Sequence, residues 1–304
     1  MHNHLSNAKR AKNDEFYTRR VNVDAELVNY TSSFNGKVVY CNCDDDGSAF
    51  KSYFVENFHA LGLKGLFCTG IAGECFEYNG NTAIVNKING DFRSSDSTKL
   101  LEQADIVVSN PPFSLFREYM AQLLEYGKDF LVIGNKNAIS YKEVFPFLQK
   151  DTMRLGYTNP NQFATPTGMA NLQGMCRWFT TLPTPDKTFW TPTATIDDTE
   201  AVKYDLYPAN NYDKVSLLPK EFDGLVGVPL TALDKLNPNE YELVDLIARY
   251  AVLNPAYNTP KHQLTEINGK PKFSRLIIRR LNNANNKKEQ KCLKNSKKLE
   301  PGLI

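Results

Sequence analysis

Two kinds of apolar segment alternate along the first half of the chain. Short unbroken runs stand at "KVVYCNC" (37–43), "LKGLFCTG" (63–70), "DIVVS" (105–109) and "DFLVIGN" (129–135). Runs of this length, bounded by Gly, Asn or Asp, predict strands buried on both faces. Between them apolar residues recur at helical spacing. Phe50, Phe54, Phe58 and Leu61 mark one helix through "AFKSYFVENFHALGL". Ser48 caps it after the turn "DDDGS", and Gly62 and Gly65 close it. "SSDSTKLLEQA" (94–104) and "LFREYMAQLLEYG" (115–127) predict two more helices, and "NTAIVNKING" (81–90) a further extended segment. Strands alternating with helices predict a mostly parallel sheet covered on both faces, whose ligands bind beyond the carboxyl ends of the strands. "CNCDDD" and "SNPPF" both stand at such ends.

The pattern changes after about residue 180. "TTLPTPDKTFWTPTATIDDTEAVKYDLYPANN" is rich in Thr, Pro and Asp and has little periodicity, which predicts extended loop. Order returns at "FDGLVGVPLTALDKLNPNEYELVDLIARY". A hairpin is expected in "QLTEINGKPKFSRLIIRRL", because Asn268-Gly269 between alternating runs is a strong type I′ turn signal. No internal repeat is present. The chain thus reads as a catalytic domain over 1–182, a second region over 183–284 and a basic, disordered tail over 285–304.

Composition narrows the class. With 304 residues, 41% of them hydrophobic, the chain supports a large core. No apolar run approaches the ~18 residues that span a bilayer, and "MHNHLSNAKRAKNDEF" has no apolar core of a secretory signal. The six cysteines fit neither a disulfide framework nor a paired zinc site, and the four histidines form no ligand pattern. A cytoplasmic protein without a metal is expected. Residues 270–298 hold eleven Lys and Arg against one acid, Glu289, so the rest of a chain of net charge +2 is acidic. Lys9, Arg10, Lys12, Arg19 and Arg20 form a second basic cluster. Separated basic patches on an acidic chain point to a polyanion partner.

The strand-ending segment Asn110-Pro111-Pro112-Phe113 carries candidate chemistry. A Pro-Pro pair ends a strand by removing ladder donors. The same residues suit methylation of an exocyclic amine, whose lone pair is delocalised into its ring. The Asn110 side-chain oxygen and the Pro111 carbonyl would accept from the two N–H bonds and turn the lone pair outward. Neutral Asn cannot act as a base, so the gain is positioning and preorganised electrostatics. Phe113 would stack on the base, which must leave the duplex to be reached.

These segments together resemble the EcoRI-type adenine-specific DNA methyltransferases. The resemblance runs in order over residues 13–280. It rests on "NDEFYT" (13–18), "VVYCNCDDD", "NGDFRSSD", "NPPF", "GMCRWFT" (174–180), "GLVGVPLTALDKLNPNEYELV" and "NGKPKFSRLIIRR". It implies an α/β, Rossmann-like methyltransferase fold with a mostly parallel seven-stranded sheet and a C-terminal target-recognition region. It implies S-adenosyl-L-methionine as cofactor and double-stranded DNA as partner, with no membrane. A cognate restriction endonuclease would act on the same site, unless the enzyme is an orphan. By the same resemblance Phe16 and Thr18 line the methionine end of the cofactor, and Asp44 approaches its amino group with Asn42 and Asp45 beside it. Asp91 would accept from the cofactor's adenine amine, and Phe92 would pack on that ring.

The chain departs from the usual methyltransferase pattern in two places. "CNCDDDG" replaces the glycine-rich F-x-G-x-G loop, and no acid ends "GLFCTG", Glu74 being the nearest. Other readings stand beside these. Asp44, Asp45 and Asp46 also suit a helix N-terminus, and Phe16 suits a core. Trp178 and Phe179 suit either the flanks of a flipped base or the core. Arg275 and Arg279 share one face of a strand and Arg280 the other, and at least one face is expected to meet DNA. An RNA or protein amino-methyltransferase and a non-catalytic nucleic-acid-binding relative stay open as alternatives. A dinucleotide oxidoreductase does not, because no G-x-G-x-x-G follows a strand.

Overall fold

The computed structural model describes residues 17–44, 47–165, 168–194, 201–248, 251–252 and 264–281. Phe16, Asp45 and Asp46, the basic residues Lys9, Arg10 and Lys12, Cys292 and the tail lie outside them. The chain divides into two compact units, Met1–Lys187 and Thr188–Ile304.

Among its described residues the first unit contains eleven strands: β1 (Tyr17–Thr18), β2 (Val38–Cys41), β3 (Gly65–Thr69), β4 (Glu74–Tyr78), β5 (Ala83–Lys87), β6 (Ile106–Ser109), β7 (Asp129–Asn135), β8 (Arg154–Leu155), β9 (Gln162–Thr165), β10 (Gly168–Asn171) and β11 (Cys176–Thr180). Its α-helices are α1 (Arg20–Leu27), α2 (Ala49–Glu56), α3 (Ser95–Gln103), α4 (Phe116–Glu125) and α5 (Phe145–Gln149). The main sheet has eight strands in the order β5-β4-β3-β2-β6-β7-β11-β8. Only β3, β2, β6 and β7 are parallel to one another. β4 and β5 extend one side antiparallel, and β11 and β8 the other. The sheet is therefore mixed and eight-stranded, where a mostly parallel seven-stranded one was expected. Connection length explains the difference. Four residues separate β3 from β4 and four separate β4 from β5, enough for hairpins but far short of a parallel crossover.

The central strands are buried on both faces, as their unbroken apolar runs require. β5 is exposed throughout and ends in Asn86 and Lys87, polar residues that suit an edge. Ser48 caps α2 by accepting from the Phe50 and Lys51 amides. That helix stops at Glu56, short of Leu61, because Asn57 leaves the helical region and turns its own side-chain amide onto the Tyr53 carbonyl at 2.8 Å. Phe58 and Leu61 are still buried and join Phe50, Phe54, Trp178 and the β2 and β6 apolar residues in one core. Glu26 of α1 is buried without exposed surface. Its carboxylate accepts from the Tyr30 hydroxyl at 2.9 Å, the Tyr157 amide at 2.7 Å, and the Thr158 amide and hydroxyl at 2.6 Å each.

The second unit is built on a six-stranded sheet. Its strands are β12 (Val202–Lys203), β13 (Asn210–Asn211), β14 (Leu225–Pro229), β15 (Tyr241–Ala248), β16 (Ala251–Val252) and β19 (Arg275–Arg280), in the order β12-β13-β14-β19-β15-β16. β17 (Glu266–Ile267) and β18 (Lys270–Pro271) form the expected hairpin. Asn268 and Gly269 have φ of 51° and 69°, two successive left-handed residues as a type I′ turn demands. The Asp205 carboxylate accepts both turn amides at 2.8 Å. Asp213 accepts from Lys272 at 2.9 Å and Arg275 at 2.8 Å. The Lys272 hydrogen bond, with Asn211 and Arg275 adding to it, lowers this carboxyl from 3.8 to about 2. A depressed acid stabilises the folded state above its unfolded value and ceases to as pH falls through the folded one. The melting-temperature gap between wild type and Asp213→Asn should therefore be full above pH ~4 and close by pH ~2. Thermal melts at stepped pH check this.

Candidate functional site

The carboxyl ends of β2, β3 and β6 open on one cavity of about 300 Å³, within the size range of small-molecule sites. Thr18, Asn42, Asp44, Asp91 and Phe92 line it, and so does the whole Asn110-Pro111-Pro112-Phe113 segment. Residues spread over almost a hundred positions of sequence are thus brought together. β6 delivers the last four. Its ladder ends at Ser109, Pro111 is buried, and the Pro112 carbonyl accepts from the Leu115 amide at 3.0 Å in the turn that starts α4. Among the described residues no donor bonds the Pro111 carbonyl. Asn110 Oδ1 is sheltered from solvent. Phe113 is half-buried against the core.

Asp44 has a more built environment than helix capping alone would need. Its amide donates to the Thr69 carbonyl at 2.9 Å, tying the tips of β2 and β3. One carboxylate oxygen accepts from the Ser48 hydroxyl at 2.7 Å and the other from the Ser109 hydroxyl at 2.8 Å. Ser109 directly precedes Asn110, so the carboxylate holds the start of the Asn-Pro-Pro-Phe turn. Asn42 accepts a short hydrogen bond from the buried Tyr119 hydroxyl of α4. Burial raises both the Cys43 thiol and the Tyr119 phenol well above their ordinary values. The floor of the cavity is a neutral, hydrogen-bonded layer carrying one carboxylate.

Asp91 and Phe92 line the cavity as well. Arg93 grips Asp91 through Nε at 2.9 Å, Nη2 at 2.6 Å and its own amide at 3.0 Å. That grip holds the Asp91 carboxyl below its ordinary value. Three bonds leave one of about four acceptor sites on the carboxylate. Phe92 is buried edge-on to the Tyr119 ring, with centroids 5.1 Å apart. Beside it the chain passes Gly70 closely: a Cβ on Gly90 would lie 1.9 Å from the Gly70 carbonyl oxygen. Thr18 comes from β1, held antiparallel to β9. Its hydroxyl is buried and has no hydrogen-bond partner among the described residues.

Several expectations change. Trp178 and Phe179 are fully buried and belong to the core, Trp178 edge-on to Phe50 at 5.9 Å and Phe179 at 5.5 Å from Phe116. They do not line the cavity. Glu74 opens on a separate small cavity with Lys51 and Phe76, and the place after β3 belongs to Gly70 and Ile71. Arg275, expected on the DNA-facing surface, is buried, with Nε on Asn211 at 3.2 Å and Nη2 on Asp213. The reason is that its guanidinium folds back onto Asn211, Asp213 and the carbonyls of Phe273 and Ser274, whereas Arg279, four residues on in the same strand, stays exposed. Arg279 pairs with Glu242 at 2.6 Å and Arg280 with Glu221 and the Lys220 carbonyl, both nearer the surface. Arg20 is engaged by Asp24 and Glu56. Sequence reasoning missed Ser109, Tyr119 and Arg93. Ser109 adjoins the motif and was within reach. Nothing local marks Tyr119, which meets Asn42 only through the fold. Among the described residues no group of His, Cys, Asp or Glu could hold a metal ion, and no helix is long and apolar enough to cross a membrane.

An Asn-Pro-Pro-Phe turn at the end of a parallel strand, beside a carboxylate-bearing cavity at the neighbouring strand ends, defines an α/β methyltransferase acting on an amino group. The family model described as adenine-specific methyltransferase EcoRI matches residues 4–87 and 77–281. The chain belongs to that family and is an adenine-specific DNA methyltransferase. It is 36% identical to the Type II methyltransferase M.EcoRI of Escherichia coli, over 79% of this chain and 88% of the relative. It is 35% identical to M.MgeORF184P of Mycoplasma genitalium, over 91% and 98%. It is 34% identical to M.MpnI of Mycoplasma pneumoniae, over 92% and 99%. No solved structure gives a significant match.

Proposed function

We propose that this protein transfers a methyl group from S-adenosyl-L-methionine to N6 of an adenine flipped out of double-stranded DNA, at one short recognition sequence. The observation that carries the reading is the pair of acceptors at the cavity: Asn110 Oδ1, sheltered from water, and a Pro111 carbonyl that no donor bonds among the described residues. Two acceptors at one place match the two N–H bonds of an exocyclic amine. Asn110 and Pro111 hold those bonds, and Phe113 supplies a face for the base. Pro112 fixes the turn that keeps the three in place.

The cavity's own chemistry supports the cofactor. When bound, S-adenosyl-L-methionine supplies an electrophilic methyl group on a sulfonium cation. Asp44 and Asp91 provide negative charge suited to that cation. The Thr18 hydroxyl is a buried group awaiting a partner, whose desolvation a bound ligand would offset. Phe92 offers an apolar edge, and the close Gly70–Gly90 approach leaves backbone rather than side chain at the wall. Asp91→Ala should weaken cofactor binding by about 1–3 kcal/mol, since one acceptor site survives the Arg93 grip. Calorimetry giving unchanged affinity would assign Asp91 to holding Arg93 alone.

Residues 1–182 carry catalysis in this reading, 183–284 target recognition through Arg279 and Arg280, and the basic tail long-range attraction. The protein works in the cytoplasm, as the modification arm of a restriction system with a cognate endonuclease or alone. Incubation with labelled cofactor and mixed plasmid DNA, followed by mapping of modified bases, tests the reading. N6-methyladenine within one short sequence is expected. Label in RNA or protein instead of DNA would refute it.

A further inference from the structure

Phe273 is 87% exposed, the highest value of any large apolar side chain among the described residues. A lone exposed apolar residue is ordinary on a protein surface. What is unusual is how firmly the chain presents this one. On one side the Lys272 amide donates to the Thr265 carbonyl at 3.1 Å. On the other, Arg275 Nη1 donates to the Phe273 carbonyl at 3.1 Å and the Ser274 carbonyl at 3.3 Å. The guanidinium that does this is buried and is itself fixed by Asn211 and Asp213. Asp213 also fixes the Lys272 ammonium, and Asp205 locks the turn two residues before Pro271. A buried arginine and two carboxylates thus hold still a short segment whose only apolar side chain points into water.

Holding a ring in water gains nothing for folding. It gains a great deal for recognition, because a pre-positioned aromatic loses little freedom on binding. The surroundings suit a polyanion. Phe273 follows Lys270 and Lys272, and Lys270 is exposed with no partner among the described residues. We infer that Phe273 is a base-contacting residue of the DNA site, its ring packed against an apolar base surface while Lys270 meets the backbone. Phe makes such contacts with thymine methyl groups in the major groove, or as a wedge at a base step. This deepens the proposed function and rests on it. Arg275, which the sequence offered as a DNA contact, then acts behind the surface as the clamp that aims Phe273.

The test uses the full-length protein and a duplex bearing the sequence mapped with wild-type enzyme, against a duplex with that sequence scrambled. Phe273→Ala should lose about tenfold or more in affinity for the mapped duplex, with little change on the scrambled one. Its melting temperature should match wild type, since the residue is 87% exposed. The salt dependence should be unchanged, because no charge is removed, whereas Lys270→Ala should lower the salt slope on both duplexes. Phe273→Trp should keep the discrimination. Wild-type discrimination in Phe273→Ala overturns the inference alone, the mapped methylation still standing. An equal loss on both duplexes overturns it also, since the ring would then be a general contact. If wild type methylates no DNA, the proposed function and this inference fall together.

Discussion

Asn110→Ala should reduce methyl transfer by at least about 10²–10³-fold while leaving cofactor affinity within about tenfold, ~1.4 kcal/mol. The side chain that is lost lies at the end of β6, and Thr18, Asp44 and Asp91, proposed above to face the cofactor, arrive from other segments. In the proposed function, removal of this acceptor would leave the target nitrogen without one directing contact, and the Pro111 carbonyl, assigned there to the other N–H, would not replace it. Single-turnover transfer measures the first quantity and calorimetry the second. A folded variant with much weaker cofactor binding would place Asn110 on the cofactor side of the cavity instead.

Glu26→Ala should be the most destabilising single change in the first unit, at about 3–5 kcal/mol. The carboxylate satisfies two backbone amides and two hydroxyls in a place closed to water. Alanine leaves those donors buried and orphaned. The chain is fitted closely to this carboxylate: a Cβ on Gly156 would sit 2.1 Å from Glu26 Oε1. For a unit of this size the melting temperature should fall by roughly 6–20 °C. Glu26→Gln should be little better, since its NH₂ group would face donors. A loss below about 1 kcal/mol would mean that segment 156–158 is held by other contacts.

The parts of the fold legible in the sequence were those written in burial. β2, β3, β6 and β7 are short apolar runs, and α2, α3 and α4 carry helical spacing, the first two behind Ser caps. Direction was not legible. An apolar run reads alike in parallel and antiparallel ladders, so the β4–β5 hairpin is placed only by its short connections, and β11 only by the fold, which returns it beside β7 after the intervening 40 residues. The residues brought to the cavity came from the resemblance and from the chemistry of Asn-Pro-Pro-Phe. What supports them from behind did not, because Ser109 with Asp44, and Tyr119 with Asn42, are pairings across 65 and 77 residues. Arg275 misled for a related reason. Alternation tells which strand residues share a face but not what covers each of them: Arg275 meets Asn211 and Asp213 only through the fold, while Arg279 on the same strand reaches solvent.

The Glu26 staple also bears on how the protein is born. Its backbone partner Tyr157 lies 131 residues downstream, and β11, which joins β7 to β8, comes later still. At ordinary rates of translation that stretch takes roughly 7–26 s to emerge. Until it does, α1 has α2 to pack on but no partner amides for Glu26, whose carboxylate stays hydrated on the nascent chain. The first unit thus closes late in its own synthesis: α1 is sealed by one of the unit's last segments, and a ribosome stalled before residue 157 should hold a chain that trypsin cuts more readily at Arg19 and Arg20 than it cuts the finished protein.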